Sequence, residues 1–253
     1  MSQNFFQLLK IENPLKIVGT INAFSALLAK RKGHQAIYLS GAGVANASYG
    51  LPDLALTSRD NVLEDLRRIK GVCDLPILVD CDTGWGSGLN ISKTIKEMIN
   101  AGADAVHLED QVSEKRCGHR PGKEIVSSDE MEDRIKAAKD SIDNKNFMLM
   151  ARTDAFSKEG ISSVIDRSNA YIEAGADSIF PEAITKLDDY LEISKNVNAP
   201  ILANITEFGL TPMFEINELK NSGVKMILYP LSAFRAMSKA AEEIYEELAE
   251  QET

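Results

Sequence analysis

The sequence is poor in cysteine. Its 253 residues include three, Cys73, Cys81 and Cys117, and none of them belongs to a C-x-x-C pair. A sparse, odd set of cysteines does not form a disulfide framework, and the missing pair argues against a zinc site. The chain must therefore fold on a hydrophobic core, and we expect a reduced, cytoplasmic protein.

Positive charge and long apolar runs are also scarce. The 28 Lys and Arg residues face 38 Asp and Glu, which gives a net charge of −10. Proteins that bind nucleic acid or anionic membranes need a basic surface, so we predict neither partner. No apolar run approaches the roughly 18 residues that a membrane span requires, and the N-terminus lacks the pattern of a secretion signal. A small anionic ligand stays compatible with this composition, because a local cationic pocket can bind it.

Short apolar runs recur along the whole chain. Runs of this length, rich in Ile, Val, Leu and Phe, are typical of strands buried on both faces. The eight runs begin at Ile17, Ala36, Pro76, Ala105, Phe147, Ser178, Pro200 and Met226. Segments with helical periodicity lie between them, among them Arg59–Lys70, Ile91–Asn100, Ser128–Ile142, Ser162–Ala174 and Pro212–Asn221.

Strict alternation of strand and helix predicts parallel strands joined by helical crossovers. Eight such units favour a single-domain (β/α)8 TIM barrel over residues 1–253, with an open doubly wound sheet as the structural alternative. Three glycines, Gly102, Gly175 and Gly223, follow helical segments and precede strands, which predicts left-handed helix caps. The stretches around them form a weak internal repeat.

Polar residues follow the strands at the end where a barrel carries its active site. Asp80 and Asp82 are two apart, so on a strand their side chains share one face, and Glu109 ends the next strand. Such an oxygen-rich pocket suits a hard divalent cation such as Mg²⁺; the alternative is a set of solvated acids at a loop edge. Cys81 points to the other face, and we interpret it and Cys73 as core residues.

Cys117 lies in the basic segment KRCGHR, within a long stretch from about Gln111 to Val126. Loops of this length in compact domains are commonly functional lids. Its cationic neighbours predict a lowered pKa for the thiol, which could then transfer a proton or attack a carbon. The alternative is a solvated basic loop with an incidental cysteine.

Several residues are candidates for binding a carboxylate. The glycines of SGAG let Ser40 and the following amides approach an anion closely. Arg152 and Arg235 are candidate carboxylate clamps, although Arg235 could instead be an exposed arginine at a helix start. Tyr38 is one candidate base, whereas His34 and His107 are interpreted as structural.

These segments together resemble the isocitrate lyase/phosphoenolpyruvate mutase superfamily. The resemblance rests on KRCGH, preceded by EDQ and DCDTG, and on MARTDA, FPEAI, LANITEFG and LYPLSAFRAM. It extends from about Val18 to Tyr245, nearly the whole chain.

The resemblance implies Mg²⁺-dependent cleavage of 2-methylisocitrate to pyruvate and succinate, in the methylcitrate cycle of propionate catabolism, by a homotetramer. It makes Cys117 catalytic, Asp80 and Asp82 the metal residues, and Asp53 and Glu109 members of the outer metal shell. The residues that it implies for binding the small polycarboxylate substrate are Ser40, Gly41, Ala42, Cys117, Gly118, Arg152, Glu182, Asn204, Ile205, Thr206 and Arg235.

The sequence departs from the superfamily pattern at its C-terminus. Members usually continue beyond the position of Thr253 into a helix exchanged with a neighbouring subunit, so we expect a barrel without that extension, and the tetramer and full activity stay open. Three other functions also stay open. They are cleavage or decarboxylation of another 2-oxoacid or of isocitrate, a Schiff-base aldolase (although no lysine ends a strand), and an inactive barrel that binds polycarboxylates.

Overall fold

Each predicted strand run forms a parallel strand in the computed structural model, which describes residues 3–251. The strands are β1 Leu15–Gly19, β2 Ala36–Leu39, β3 Ile77–Asp80, β4 Ala105–Glu109, β5 Met148–Thr153, β6 Ser178–Pro181, β7 Leu202–Asn204 and β8 Met226–Tyr229. They pair in the order β6-β5-β4-β3-β2-β1-β8-β7, and one parallel bridge between Ile179 and Ile201 joins the two ends. The barrel prediction is confirmed, and the open sheet is excluded.

Helices lie between the strands. They are α1 Phe5–Ile11, α2 Ala23–Arg31, α3 Gly41–Gly43 with a π-helical turn over Val44–Ser48, α4 Arg59–Lys70, α5 Gly88–Ala101, α6 Ser128–Lys139, α7 Phe156–Glu173, α8 Leu187–Asn196, α9 Ile216–Asn221 and α10 Ser232–Glu250. The predicted helix Arg59–Lys70 is found unchanged. No helix among residues 3–251 has the length and apolar character needed to cross a bilayer.

Three predicted helix starts are shifted. The helix expected from Ile91 begins at Gly88, and the other two shifts have a local reason. The helix expected from Pro212 begins at Ile216, because Glu218 Oε2 accepts a hydrogen bond from Glu215 N at 2.8 Å and caps the first turn there. The helix expected from Ser162 is extended back to Phe156, but Gly160, with φ of 79°, interrupts its backbone. The regular part of α7 therefore begins close to the predicted start.

Alternation along the strands divides the core into two layers. One parity packs inside the barrel, where Leu15, Ala36, Leu78, Ala105, Met148, Phe180, Leu202 and Met226 belong to one apolar cluster. Phe5 and Leu8 of α1 join that cluster and close the amino-terminal end of the barrel. The other parity, which includes Cys81, packs against the outer helices, and Cys73 joins that outer cluster, as predicted for both cysteines.

The internal repeat corresponds to a repeated set of hydrogen bonds at the amino-terminal end of the barrel. Gly102 and Gly175 have φ of 97° and 117°, which are left-handed caps as predicted. Two residues later, Asp104 accepts hydrogen bonds from Ile77 N at 3.0 Å and Lys70 Nζ at 3.1 Å. Asp177 likewise accepts from Leu149 N and Lys139 Nζ, both at 2.9 Å. Each aspartate thus ties the start of a neighbouring strand to the preceding helix.

Candidate active site

At the carboxyl end of the barrel, the strand residues that point inward are polar and no longer apolar. A cavity of about 260 Å³ opens there. From the barrel interior it is lined by Tyr38, Asp80, Arg152, Phe180, Glu182, Asn204 and Leu228, and from the segment 111–126 by Lys115, Arg116, Cys117, Gly118, His119 and Arg120. The predicted rim and the predicted lid therefore enclose one cavity.

Asp80 and Asp82 converge on the backbone of Gly41. Asp80 Oδ2 accepts from Gly41 N at 3.0 Å, and a Cβ atom at Gly41 would lie 3.1 Å from that oxygen and 3.2 Å from Asp82 Oδ1. Asp82 lies beyond the end of β3 with φ of 46°. A left-handed turn, and not the strand alternation that we expected, brings its carboxylate back towards the barrel axis.

Lys115 reaches from the lid into this acidic cluster. Its ammonium lies 2.6 Å from Asp53 Oδ1 and 2.8 Å from Asp82 Oδ1, and the side chain is buried. Burial alone would lower the pKa of Lys115, but the surrounding carboxylates, with Asp82 foremost, raise it well above its usual range. Lys115 therefore stays charged and neutralises part of the cluster.

Arg152 lies among three carboxylates at the bottom of the cavity. Its Nε lies 2.9 Å from Asp154 Oδ2 and 3.3 Å from Glu109 Oε2. Its Nη2 lies 3.2 Å from Glu182 Oε2, and the guanidinium carbon is 5.2 Å from the centre of the Phe180 ring. These contacts fix the guanidinium while one edge of the side chain lines the cavity.

Buried acids outnumber the buried cations in this region. The basic side chains that contact them are Lys115, Lys123, Arg152 and Arg167, whereas the buried carboxylates are Asp80, Asp82, Glu109, Asp110, Asp154 and Glu182. Glu109 Oε1 is buried and has no hydrogen-bond partner among residues 3–251. This excess of negative charge and the orphaned oxygen fit a divalent cation.

The pKa values of the acids reflect the same imbalance. Burial raises the pKa of Asp82 to about 6 against the opposing charge of Lys115, and it raises the pKa of Glu109 well above the usual range. Burial also opposes ionisation of Asp80, yet His107, Lys115 and Arg152 lower its pKa to about 2. Within residues 3–251, no three His, Cys, Asp or Glu side chains form a preformed ligand cluster. The acids would thus supply one or two direct ligands and water the others, as is usual for Mg²⁺.

Tyr38 and His107 form a pair beneath Asp80. The Tyr38 hydroxyl donates to Asp80 Oδ2 at 3.2 Å and lies 2.9 Å from His107 Nε2. Burial and the charge of Asp80 raise the pKa of Tyr38 well above 10, and burial lowers the pKa of His107 to about 4. At neutral pH the phenol therefore keeps its proton and the imidazole is uncharged. His107 lies two residues before Glu109 on β4, so both side chains point to the same face. This spacing in the sequence already indicated that His107 faces the barrel interior.

The lid, residues 111–126, is folded over the cavity. Its stems are joined by an antiparallel bridge between Gln111 and Ile125. His119 Nδ1 accepts from Leu210 N at 3.0 Å, and its Nε2 lies 3.1 Å from Glu182 Oε1. A side chain at Gly118 would collide with Arg152 and Glu182, so glycine permits this close approach.

The expected lowering of the Cys117 pKa is wrong. Burial raises the pKa of this thiol above its usual value. Two of the lid cations point to acids and not to the sulfur, since Lys115 pairs with Asp82, and Lys123 lies 2.9 Å from Asp154 Oδ1. Sequence neighbours do not reveal such long-range pairs. At neutral pH Cys117 is a protonated thiol, which suits a proton donor better than a nucleophile.

The remaining predicted residues lie at different depths. Asn204 Nδ2 lies 3.3 Å from both Glu182 Oε1 and His119 Nε2. Ser40 and Ala42 line the cavity, whereas the Ile205 side chain belongs to the outer core because it has the outward parity. Only the main chain of Ile205 can therefore face a ligand.

Arg235 lies at the rim of the cavity and is not a free helix-start arginine. Its Nη1 donates to Thr206 Oγ1 at 2.9 Å and to Glu207 Oε2 at 2.6 Å, and its guanidinium lies 5.4 Å from the centre of the Phe208 ring. Lys123 was not predicted at all, and no local pattern marks it.

The chain is similar to known enzymes along most of its length. The family model described as phosphoenolpyruvate phosphomutase matches residues 5–249. The 2-methylisocitrate lyase of Escherichia coli (strain K12) is 58% identical over 243 residues, which cover 96% of this chain and 82% of that one. The enzyme of the same name from Salmonella typhimurium is 57% identical over 252 residues, with 99% and 85% covered.

Two solved structures share the fold. A 2,3-dimethylmalate lyase, described as a PEP mutase/isocitrate lyase superfamily member, superposes with a TM-score of 0.93 at 30% identity, covering 100% of this chain and 87% of its own. A phosphonopyruvate hydrolase complex with oxalate and Mg²⁺ superposes with a TM-score of 0.81 at 27% identity, covering 93% and 82%.

Proposed function

The chain belongs to the phosphoenolpyruvate phosphomutase family, and from that premise we propose that it is a lyase that cleaves 2-methylisocitrate to pyruvate and succinate. One observation carries the proposal. In a chain 58% identical to a 2-methylisocitrate lyase, Asp80 and the protonated thiol of Cys117 line the same cavity of about 260 Å³. A small polycarboxylate would lie between them.

The reaction breaks the bond between the carbinol carbon and the neighbouring carbon alpha to a carboxylate. The hydroxyl group loses its proton and becomes the keto group of pyruvate. The electron pair of the broken bond passes to the other carbon, which takes up a proton and becomes succinate. The site must therefore stabilise negative charge on one side of the substrate and deliver a proton on the other.

Mg²⁺ held near Asp80 and Asp82 would supply a Lewis acid for the oxygen that loses its proton. This assignment is supported by the excess of buried carboxylates and by the Mg²⁺ in the related phosphonopyruvate hydrolase structure. Asp53 and Glu109 would act from the outer shell, where Lys115 already contacts Asp53.

Cys117 would donate the proton that completes succinate. Its raised pKa keeps the sulfur protonated, and the lid places it over the cavity. Closure of the lid excludes water, which protects the carbanion from solvent and strengthens the charged contacts. Arg152 and Arg235 would bind carboxylates of the substrate, with Ser40 and Asn204 as hydrogen-bonding partners.

We also propose a homotetramer in the cytoplasm that serves the methylcitrate cycle. Support for association comes from α10, which buries none of its residues within the chain. Ile244, Tyr245 and Leu248 on this helix are 53%, 72% and 60% exposed. Light scattering across a range of concentrations tests the assembly. The three free cysteines are consistent with a reducing compartment.

The decisive experiment incubates the protein with Mg²⁺ and 2-methylisocitrate and couples pyruvate to lactate dehydrogenase. We expect turnover that stops with EDTA. A parallel reaction with isocitrate, in which glyoxylate is measured, should be much slower. The absence of pyruvate, or faster cleavage of isocitrate, would contradict the proposed substrate.

A further inference from the structure

Asp110 does not reach the cavity, yet it is one of the most completely bonded acids of the protein. Its side chain is fully buried. Oδ1 accepts a hydrogen bond from Asp154 N at 2.8 Å. Oδ2 accepts from Thr153 Oγ1 at 2.7 Å and from the Tyr171 hydroxyl at 2.9 Å. The carboxylate thus fixes the carboxyl end of β5 through hydrogen bonds to Thr153 and Asp154.

The main chain of Asp110 joins the same strand to the lid. Asp110 N donates to Arg152 O at 3.2 Å, and its carbonyl accepts from Val126 N, where the lid ends, at 2.8 Å. Arg167 of α7 donates to Val126 O at 3.0 Å and lies 3.5 Å from Asp110 Oδ2. Movement at Asp110 would therefore reach both the strand and the stem of the lid.

The backbone amide of Asp154 donates to Asp110, and the side chain of Asp154 makes two contacts within the site. Its carboxylate accepts from Arg152 Nε at 2.9 Å and from Lys123 Nζ at 2.9 Å. Lys123 Nζ also donates to Gly118 O at 2.7 Å, next to Cys117. A continuous series of charge-assisted hydrogen bonds thus connects Asp110 to the tip of the closed lid.

We propose that Asp110 is a positioning residue that acts through Asp154 and keeps Arg152 and the closed lid in their working arrangement. It acts without touching the substrate, because it lies outside the cavity lining. Its effect on turnover rests on the proposed lyase function, whereas its effect on the lid does not. Asn at this position has nearly the same shape but replaces one accepting oxygen with a donor, opposite Tyr171 and Arg167.

The chain offers a matched control at the other end of β5. Asp177 also accepts from a backbone amide of this strand, Leu149 N at 2.9 Å, and from one lysine, Lys139 Nζ at 2.9 Å. It lies at the amino-terminal end, far along the strand from the lid. Asp177→Asn therefore tests what the loss of such a carboxylate does to stability alone.

The experiment measures the rate at which Ellman's reagent labels Cys117 in the folded protein without ligand. Cys73 and Cys81 are 1% and 0% exposed, so fast labelling reports on the lid cysteine. We expect Asp110→Asn to raise this rate about tenfold, the size expected for loss of one charge-assisted hydrogen bond. Asp177→Asn should label at the wild-type rate. In the pyruvate assay, Asp110→Asn should lose at least about tenfold in kcat/KM, and Asp177→Asn should keep wild-type kinetics.

Tyr171→Phe provides a second variant if Asp110→Asn does not fold. It removes one donor to Asp110 and should shift labelling in the same direction by a smaller factor. Wild-type labelling in both folded Asp110→Asn and Tyr171→Phe would overturn the proposal, as would equal acceleration in Asp177→Asn. If the wild-type protein releases no pyruvate, the function fails, while labelling still decides the role of Asp110.

Discussion

The two ends of the barrel place carboxylates in different surroundings. At the amino-terminal end, Asp104 and Asp177 are partly exposed, and each is bonded to a strand amide and to a lysine. At the carboxyl end, Asp82 and Glu109 are buried and their pKa values are raised. A carboxylate therefore stabilises the fold at the amino-terminal end, whereas burial of Asp82 and Glu109 at the carboxyl end opposes folding.

The magnitudes explain why the two ends differ. A satisfied, partly exposed carboxylate contributes about 1 kcal/mol through its hydrogen bonds. Burying an ion costs several kcal/mol, roughly, and contacts such as those of Lys115 and Arg152 offset only part of that cost. The remaining negative charge at the carboxyl end favours binding of a cation. Substitutions at one end at a time therefore separate effects on function from effects on stability.

The largest expected effect is that of Cys117→Ser. We expect kcat to fall by about 10² to 10⁴, because the proposed general acid is replaced by a hydroxyl with a far higher pKa. The free energy of unfolding should change by less than about 0.5 kcal/mol, since the residue lies in a loop. Turnover and thermal unfolding of the same preparation check this. Cys73→Ala in the core is the control, with reduced stability and retained turnover; an active Cys117→Ser protein would remove the thiol from the mechanism.

Metal affinity should depend on pH through Asp82. The pKa of this acid is about 6 in the metal-free protein, and Mg²⁺ binds the carboxylate and not the acid. Below pH 6 protons compete, so the apparent Kd should rise about tenfold per pH unit, whereas between pH 7 and 8 it should stay flat. Calorimetric titration at pH 5, 6 and 7.5 measures this, with circular dichroism to verify folding. An equal Kd at pH 5 and 7.5 would rule out the titration of Asp82.

Removing the carboxylate charge at the amino-terminal end should cost stability alone. We expect Asp104→Asn and Asp177→Asn each to lower the free energy of unfolding by about 1 kcal/mol, because the pairs with Lys70 and Lys139 are lost. Denaturant unfolding provides the values, and kcat should be that of the wild type. A large loss of activity in Asp104→Asn would show that the two ends are coupled.

The smallest expected effect is a gain in stability from Glu109→Gln in metal-free protein. Burial raises the pKa of Glu109, so the folded state binds more protons than the unfolded state between the two pKa values. Wild-type stability therefore falls as pH rises through that range, and Gln does not titrate. We expect the variant to be more stable by about 0.5 kcal/mol at pH 8 and by less at pH 5. Destabilisation at pH 8 would indicate that the contact with Arg152 outweighs burial.

Local patterns predicted the parts of this protein that local physics determines. The strands follow from apolar runs, and the caps at Gly102 and Gly175 follow from the conformational freedom of glycine. Asp80 and Arg152 lie inside the barrel because they continue the parity of the apolar residues before them. The same rule, applied further, would have placed His107 inside the barrel and the Ile205 side chain outside it.

The remaining features depend on contacts between residues distant in sequence. Burial raises the pKa of the Cys117 thiol, and Lys115 and Lys123 of the same segment pair instead with acids that follow other strands. Asp82 reaches the cluster because its own backbone is left-handed, a conformation that the sequence does not signal with a glycine at this position. The bonding of Asp110 joins β4, β5 and α7. Only the assembled barrel brings these groups together.

The claim that the acids at the carboxyl end serve a cation is tested most directly by thermal unfolding with and without Mg²⁺. A ligand that binds only the folded state at 100 times its Kd stabilises it by about 2.7 kcal/mol. We predict that Mg²⁺ raises the Tm of the wild type and of Asp177→Asn by the same amount and leaves the Tm of Asp82→Asn unchanged. An equal rise in Asp82→Asn, or no rise in the wild type, would contradict the account.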